Sequence, residues 1–178
     1  MLSKRILPNE DIQEVRSLYK EAFPEGEQIP YERLLQLIGE MNLDVSAYYE
    51  NGSSASDFVG FTIVYPGKKY NWFWYFAVRP ELRGKGYGQQ ILSQLIEKYK
   101  DGTNILDMES PRQECENQVQ RKRRQAFYKR NGFRDTNIYK SFDGLEFTIM
   151  MMGNGTFTMQ DYDDILADLK RFWWKNFS

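Results

Sequence analysis

The most constraining stretch of this 178-residue chain is Val78-Arg79-Pro80-Glu81-Leu82-Arg83-Gly84-Lys85-Gly86-Tyr87-Gly88. An apolar segment runs into it and a helical pattern runs out of it. Any fold must therefore place a strand, a glycine turn and a helix in direct succession. Glycines alternate at 84, 86 and 88, beside Arg83 and Lys85. A helix start exposes backbone N–H groups, and the macrodipole there favours negative charge. Without a Cβ the main chain can approach an anion closely and adopt the dihedrals that approach requires. The segment reads as an anion cradle suited to a pyrophosphate.

Composition removes several chemistries. The chain has no histidine, which excludes Ser-His-Asp triads, Cys-His dyads and the usual zinc sites, so no metal is expected. Its single cysteine, Cys115, has no internal disulfide partner, which points to a reducing compartment. With 24 basic and 25 acidic residues, neither nucleic acid nor an anionic membrane is indicated as a partner. No basic-then-apolar leader is seen, and the aromatic run 72–78 is too short to span a bilayer. A cytoplasmic protein is expected. Aromatic residues make up 16% of the chain and cluster, as core and pocket linings do.

Periodicity gives the element order. A strand over residues 2–7 precedes a helix capped by Asn9, with Ile12, Val15, Leu18 and Tyr19 on its apolar face. Pro30 opens a second helix. Strands over 45–50, 58–65 and 70–78 form an antiparallel meander, and Ile91, Leu92, Leu95, Ile96 and Tyr99 mark the helix after the glycine loop. A strand over 104–109 leads to a basic helix over 119–130 that stops at Asn131-Gly132. A hairpin over 133–142 and 145–152 follows, then a helix over 159–174. This is a mixed α/β (α+β) order: a mostly antiparallel central sheet of about six to seven strands, flanked by helices, with an extra C-terminal helix. Residues 1–152 form the expected domain and 153–178 carry the added helix.

The loop lacks the Gly-x-x-x-x-Gly-Lys-Ser/Thr of a P-loop. Its Gly-x-Gly-x-Gly spacing after a meander also departs from the Gly-x-Gly-x-x-Gly dinucleotide fingerprint. It resembles instead the acetyl-CoA loop of the GNAT acetyltransferase superfamily, Arg/Gln-x-x-Gly-x-Gly/Ala, with Arg83, Gly86 and Gly88 in the required places. A second hallmark of that family, a Tyr shortly before Gly-Phe, is matched by Tyr128 with Gly132-Phe133. The resemblance is strongest over residues 76–133.

The resemblance implies that acetyl-CoA is the co-substrate. Backbone N–H groups from Arg83 through Gly84, Lys85, Gly86 and Tyr87 to Gly88 would hold the pyrophosphate. The main chain of Phe76, Ala77 and Val78 would pair with the pantetheine. In this family that strand splays from the next, leaving a cleft for the thioester. Tyr128 corresponds to the general acid that protonates the departing thiolate, a role suited to a phenol that is neutral at pH 7. Many relatives carry a base on the strand before the loop, but residues 70–78 contain no acid. Glu109 is the nearest candidate base; Asp107 is second and is read as a surface carboxylate. Relatives often have Asn seven residues before the Tyr, where this chain has Arg121. Asn117, one turn earlier, is the substitute cofactor contact, and Arg124 is the candidate for the 3′-phosphate. The remaining cations of 121–130 read as a solvated face.

For the acceptor, Glu21 and Glu25 in the inter-helix loop suit a cationic amine, with Trp74 lining an apolar part. The implied activity is N-acetylation of a primary amine on a small molecule or peptide. Loss of the base leaves a second reading, a non-catalytic acyl-CoA-binding or partner-binding module. In the last helix Tyr162, Ile165, Leu166, Leu169, Phe172 and Trp173 share a face. That face packs on its own domain or, as Trp174 and Phe177 lying off it allow, contacts a homodimer partner or covers the acceptor site.

Overall fold

A computed structural model describes residues 1–52 and 54–174; Phe177 and the side chains of Trp173 and Trp174 lie outside the described residues. The element order is β1 (Leu2–Arg5), α1 (Gln13–Ala22), α2 (Tyr31–Glu40), β2 (Asp44–Tyr49), β3 (Phe58–Pro66), β4 (Asn71–Val78), α3 (Tyr87–Lys98), β5 (Asn104–Glu109), α4 (Gln118–Arg130), β6 (Arg134–Phe142), β7 (Leu145–Met152) and α5 (Met159–Trp174). The seven strands make one mixed sheet in the order β1-β2-β3-β4-β5-β7-β6. β4 and β5 run parallel, with Asn71 opposite Asn104 and Trp72 opposite Ile105. The pairs β1–β2, β2–β3, β5–β7 and β6–β7 are antiparallel. Contacts group the chain into two units, residues 1–68 with 73–100, and residues 69–72 with those from Asp101 onward. Among the described residues no helix is long and apolar enough to cross a membrane.

In the first unit, β4 is apolar on both faces because both are covered. Tyr75 turns to a cluster around the fully buried Tyr19, whose ring lies 5.8 Å from Phe23, 5.8 Å from Tyr31, 6.2 Å from Phe61 and 5.2 Å from Tyr75. The Tyr19 hydroxyl donates to the Ile29 carbonyl (3.2 Å) and accepts the Ile29 N–H (2.8 Å), which pins the segment joining α1 to α2. Phe76 and Val78, with the opposite parity, pack against Tyr48, Val59 and Ile91. The far end of α3 is tied down at Asp44, a buried carboxylate that accepts the Tyr99 hydroxyl and pairs with Lys98.

Asn9 does not cap α1. It adopts φ 61°, and the helix begins after Ile12 with no side-chain cap. The polar residues ahead of α1 close the end of β1 instead: Glu10 accepts the Leu7 N–H (2.9 Å) and pairs with Lys4 (2.6 Å).

In the second unit, α5 begins with a reciprocal capping box. Thr158 Oγ1 accepts the Asp161 N–H (3.2 Å), and Asp161 Oδ2 accepts the Thr158 N–H (2.8 Å). Phe157 before the cap packs on Tyr162 inside the helix, ring centroids 6.3 Å apart, completing a hydrophobic staple. Asp161 also pairs with Lys69, and Lys140 with Asp163. Tyr162 and Phe157 are buried. The first turns of α5 are thereby fastened to residues 69–70 and to β6 of the same unit.

Candidate active site

β4 ends at Val78 and a 3-10 turn, Pro80–Leu82, leads into the glycine loop. Gly84 and Gly86 hold φ 75° and 86°, and Gly86 immediately precedes α3 with no side chain capping the helix. Nothing lies within 4 Å of where a Cβ on either glycine would sit. The demand for glycine here is thus conformational, since left-handed backbone costs other residues about 1 kcal/mol or more. The first turn of α3 leaves its N–H groups without carbonyl partners from the helix, while the Gly86 carbonyl accepts the Gln90 N–H (3.1 Å). Gly84, Lys85 and Gly86 are exposed. Arg83 Nε donates to the Val78 carbonyl (3.2 Å), bracing the loop against the strand it leaves. Tyr87 packs with the Tyr48–Val59–Ile91 cluster and donates its hydroxyl to Glu50, which fixes the helix start. The Arg79, Leu82 and Arg83 N–H groups are spent on the Val59, Arg79 and Pro80 carbonyls (2.9, 3.0 and 3.2 Å). The expected Arg83 backbone donor is thus already engaged, and the main-chain donors at the positive helix start are those from Gly84 to Gly88.

The second unit carries side-chain chemistry along β5 and α4. Among the described residues the only buried one in α4 is Arg121, which is 3% exposed. It shares a helix face with Arg124 and Tyr128, three and seven residues on. Arg121 Nη2 donates to Glu109 Oε1 (3.0 Å), and its Nη1 reaches Gln113 Oε1 (3.2 Å) and the Ser110 carbonyl (3.4 Å). Arg124 Nη1 lies 3.8 Å from Glu109 Oε2. Glu109 thus compensates a buried guanidinium. The residue at the relatives' Asn position is this ion-pair partner, and Arg124 turns at least partly toward β5.

Asp107, expected as a surface carboxylate, is instead half-buried, and its Oδ1 accepts the Trp72 indole N–H at 2.9 Å. Burial pushes its carboxyl up to about 6, although the indole hydrogen bond pulls the other way. Burial likewise pushes the Tyr128 phenol up to about 12; Arg124 draws it down and the charge of Asp107 raises it. Tyr162 of α5 is held well above the ordinary range, first by burial and then by Asp107.

The ring of Tyr128 is set by the way α4 ends. Gly132 takes φ 91°, its N–H bonds the Lys129 carbonyl (3.1 Å), and the Phe133 N–H bonds the Tyr128 carbonyl (3.1 Å). This is a Schellman motif, and its apolar contact is Phe133 edge-on to Tyr128, centroids 5.8 Å apart. The Tyr…Gly-Phe pattern is the sequence trace of that helix end.

The other expected residues are dispersed. Asn117 precedes the first residue of α4 without capping it, and its Oδ1 accepts from Cys115. Glu21 lines an open cavity of about 350 Å³ with Gln13, Glu14, Ser17 and Phe58, while Glu25 is exposed on the turn Glu25–Glu27. Trp74 is half-buried and stacks on Tyr75 (5.2 Å, 29°). Trp72 and Tyr75 are core residues.

The fold has counterparts among solved structures. A GNAT-family protein from Bacteroides thetaiotaomicron aligns with a TM-score of 0.74 at 26% identity, over 95% of this chain and 96% of that one. The ribosomal-protein-S18-alanine N-acetyltransferase of Escherichia coli shares the fold at TM-score 0.60 and 20% identity, over 88% of this chain and all of that one (100%). A GNAT family acetyltransferase from Elizabethkingia anophelis with acetyl-CoA bound does so at TM-score 0.50 and 18% identity, over 74% and 95%. No curated protein sequence matches the chain. The acetyltransferase (GNAT) domain model matches residues 45–135, which take in the glycine loop, Asp107 and the Tyr128–Phe133 helix end. The chain belongs to the GNAT acetyltransferase family.

Proposed function

We propose that this chain is a cytoplasmic, acetyl-CoA-dependent N-acetyltransferase acting on a primary amine of a small molecule or peptide. The observation that carries this reading is a half-buried carboxylate, Asp107, held by the Trp72 indole N–H at 2.9 Å and close enough to the Tyr128 phenol for its charge to act on it. Burial raises both groups, which leaves a carboxyl at about 6 able to accept a proton near neutral pH and a phenol at about 12 that still carries one to donate. Acetyl-CoA is a co-substrate: its pyrophosphate suits the main-chain donors of residues 84–88, and its pantetheine suits the main chain of Phe76, Ala77 and Val78. A solved relative carries acetyl-CoA.

Asp107, an anion above about pH 6, takes a proton from the incoming ammonium. The neutral nitrogen then forms the C–N bond to the thioester carbon, and the C–S bond breaks as the tetrahedral adduct collapses. Tyr128, still protonated at neutral pH, gives its proton to the departing thiolate. The second proton lost by the nitrogen restores the phenol, and Asp107 releases its own to solvent. Glu109, engaged with Arg121, is assigned to holding α4 on β5 rather than to proton transfer.

The test is acetyl transfer from acetyl-CoA across polyamines, aminoglycosides and peptides, followed by the acetyl mass gain of the product. A mass readout avoids thiol reagents, which would also label the exposed Cys115. Amine-dependent product is expected. Tight CoA binding without turnover on any amine would identify a non-catalytic acyl-CoA-binding module instead.

A further inference from the structure

The register of β4 and β5 places an unusual donor beside the carboxylate. Trp72 stands opposite Ile105, and strand parity puts Ile105, Asp107 and Glu109 on one face. The indole crosses diagonally to the next residue on that face, where its Nε1–H meets Asp107 Oδ1 at 2.9 Å. Trp72 is 4% exposed, so its ring has little freedom to leave. An indole N–H is a donor only and does not titrate. It can therefore hold a carboxylate without taking or supplying a proton itself.

We propose that Trp72 is a positioning residue for amine deprotonation: its indole fixes one oxygen of Asp107 and presents the other to the incoming ammonium. This rests on the assignment of Asp107 as base. Besides Asp107's own backbone N–H, which also favours the ionised form but more weakly, the groups around that carboxylate leave the task to Trp72. Tyr128 from α4 and Tyr162 from α5 are neutral phenols at pH 7 whose affinities Asp107 itself raises, and Arg124 acts on Tyr128. On β5 itself, Glu109 is engaged by Arg121, and across the sheet Asp107 faces Ile149 of β7. The indole hydrogen bond favours the ionised form against burial, which keeps Asp107 usable as a base near neutrality.

The experiment pairs Trp72→Phe with site-specific replacement of Trp72 by benzothienylalanine, which keeps the bicyclic ring and removes only the N–H. The full chain labelled with carbon-13 aspartate reports the Asp107 carboxyl titration, and kcat/KM against pH reports the base. In both variants the carboxyl pKa is expected to rise above the wild-type value, by about one unit. The acidic limb of kcat/KM should move with it, lowering kcat/KM about tenfold on that limb. An unshifted carboxyl in the folded benzothienyl variant overturns the role of Trp72, even if Asp107 is the base. A shifted carboxyl with an unmoved acidic limb overturns Asp107 as base, and with it any catalytic part for Trp72.

Discussion

Between Val78 and Gly88 the proposed anion binding uses the main chain, whereas the proton transfers proposed along β5 and α4 use side chains whose proton affinities burial has reset. At the glycine loop Gly84 and Gly86 matter because they lack side chains, and Arg83 and Tyr87 hold the loop to its own strand and helix. On the β5–α4 face every contributor is a named group with a named partner: Trp72 on Asp107, Arg121 on Glu109, Phe133 on Tyr128. Substitutions should therefore behave differently in the two regions. The first should respond to backbone conformation and the second to proton inventory.

The largest expected effect belongs to Asp107→Asn. Loss of the base should lower kcat/KM at pH 8 on the order of a thousandfold and abolish the acidic limb near pH 6. Stability should move the other way. The fold raises this carboxyl from an ordinary 3.8 to about 6, so the native state holds the extra proton. That contribution is complete below about pH 4 and is lost as pH rises through about 6. Asp107→Asn should flatten the stability profile in that window and raise unfolding stability at pH 8 by up to about 3 kcal/mol. A variant both less active and less stable at pH 8 would mean that Asp107 is structural.

Glu109→Gln should show the reverse pattern. Arg121 would keep a buried charge without its anion, costing on the order of 3 kcal/mol in chemical denaturation. The acidic limb of kcat/KM should stay in place. A limb that vanishes in Glu109→Gln and survives in Asp107→Asn would exchange the two roles. Tyr128→Phe comes next, with a loss in kcat on the order of a hundredfold. Its ring contact with Phe133 would be kept, so thermal stability should change little.

These pairs were unevenly legible in the amino-acid sequence. The strand at 104–109, the hairpin strand at 145–152 and the last helix fall where periodicity puts them, because each is bounded by proline, glycine or a capping pair. The cradle is legible for a similar reason: conformations that only glycine adopts cheaply leave a fixed spacing. Asp107 was not. A lone Asp in a strand carries no sign of whether an indole 35 residues away will reach it. Arg121 was half-legible. It sits seven residues before Tyr128, hence on the same helix face, yet it lies in a run of cations that reads as solvated until β5 supplies Glu109. Asn9 fails as a cap because it sits in the Leu7–Glu10 turn at φ 61°, three residues ahead of Ile12, after which α1 begins.

The smallest effect is the one that sharpens the comparison most. Gly86→Ala adds a methyl group to open space, so any cost must come from holding φ 86°. That cost is about 1 kcal/mol. If the loop holds its shape before acetyl-CoA arrives, the cost appears in unfolding stability and the KM for acetyl-CoA stays near wild type. If the loop relaxes in the free variant and must be re-formed on binding, the same energy appears as about a fivefold higher KM with kcat unchanged. D-alanine at position 86, for which positive φ is comfortable, should restore either quantity. Lys85→Ala tests the main-chain reading from the other side, since it removes a neighbouring charge and leaves the backbone donors alone. A rise in KM at Lys85→Ala well beyond fivefold would mean that the loop holds its anion through side-chain charge. Its chemistry would then be of the same kind as that of β5 and α4, and the contrast between the two regions would fail.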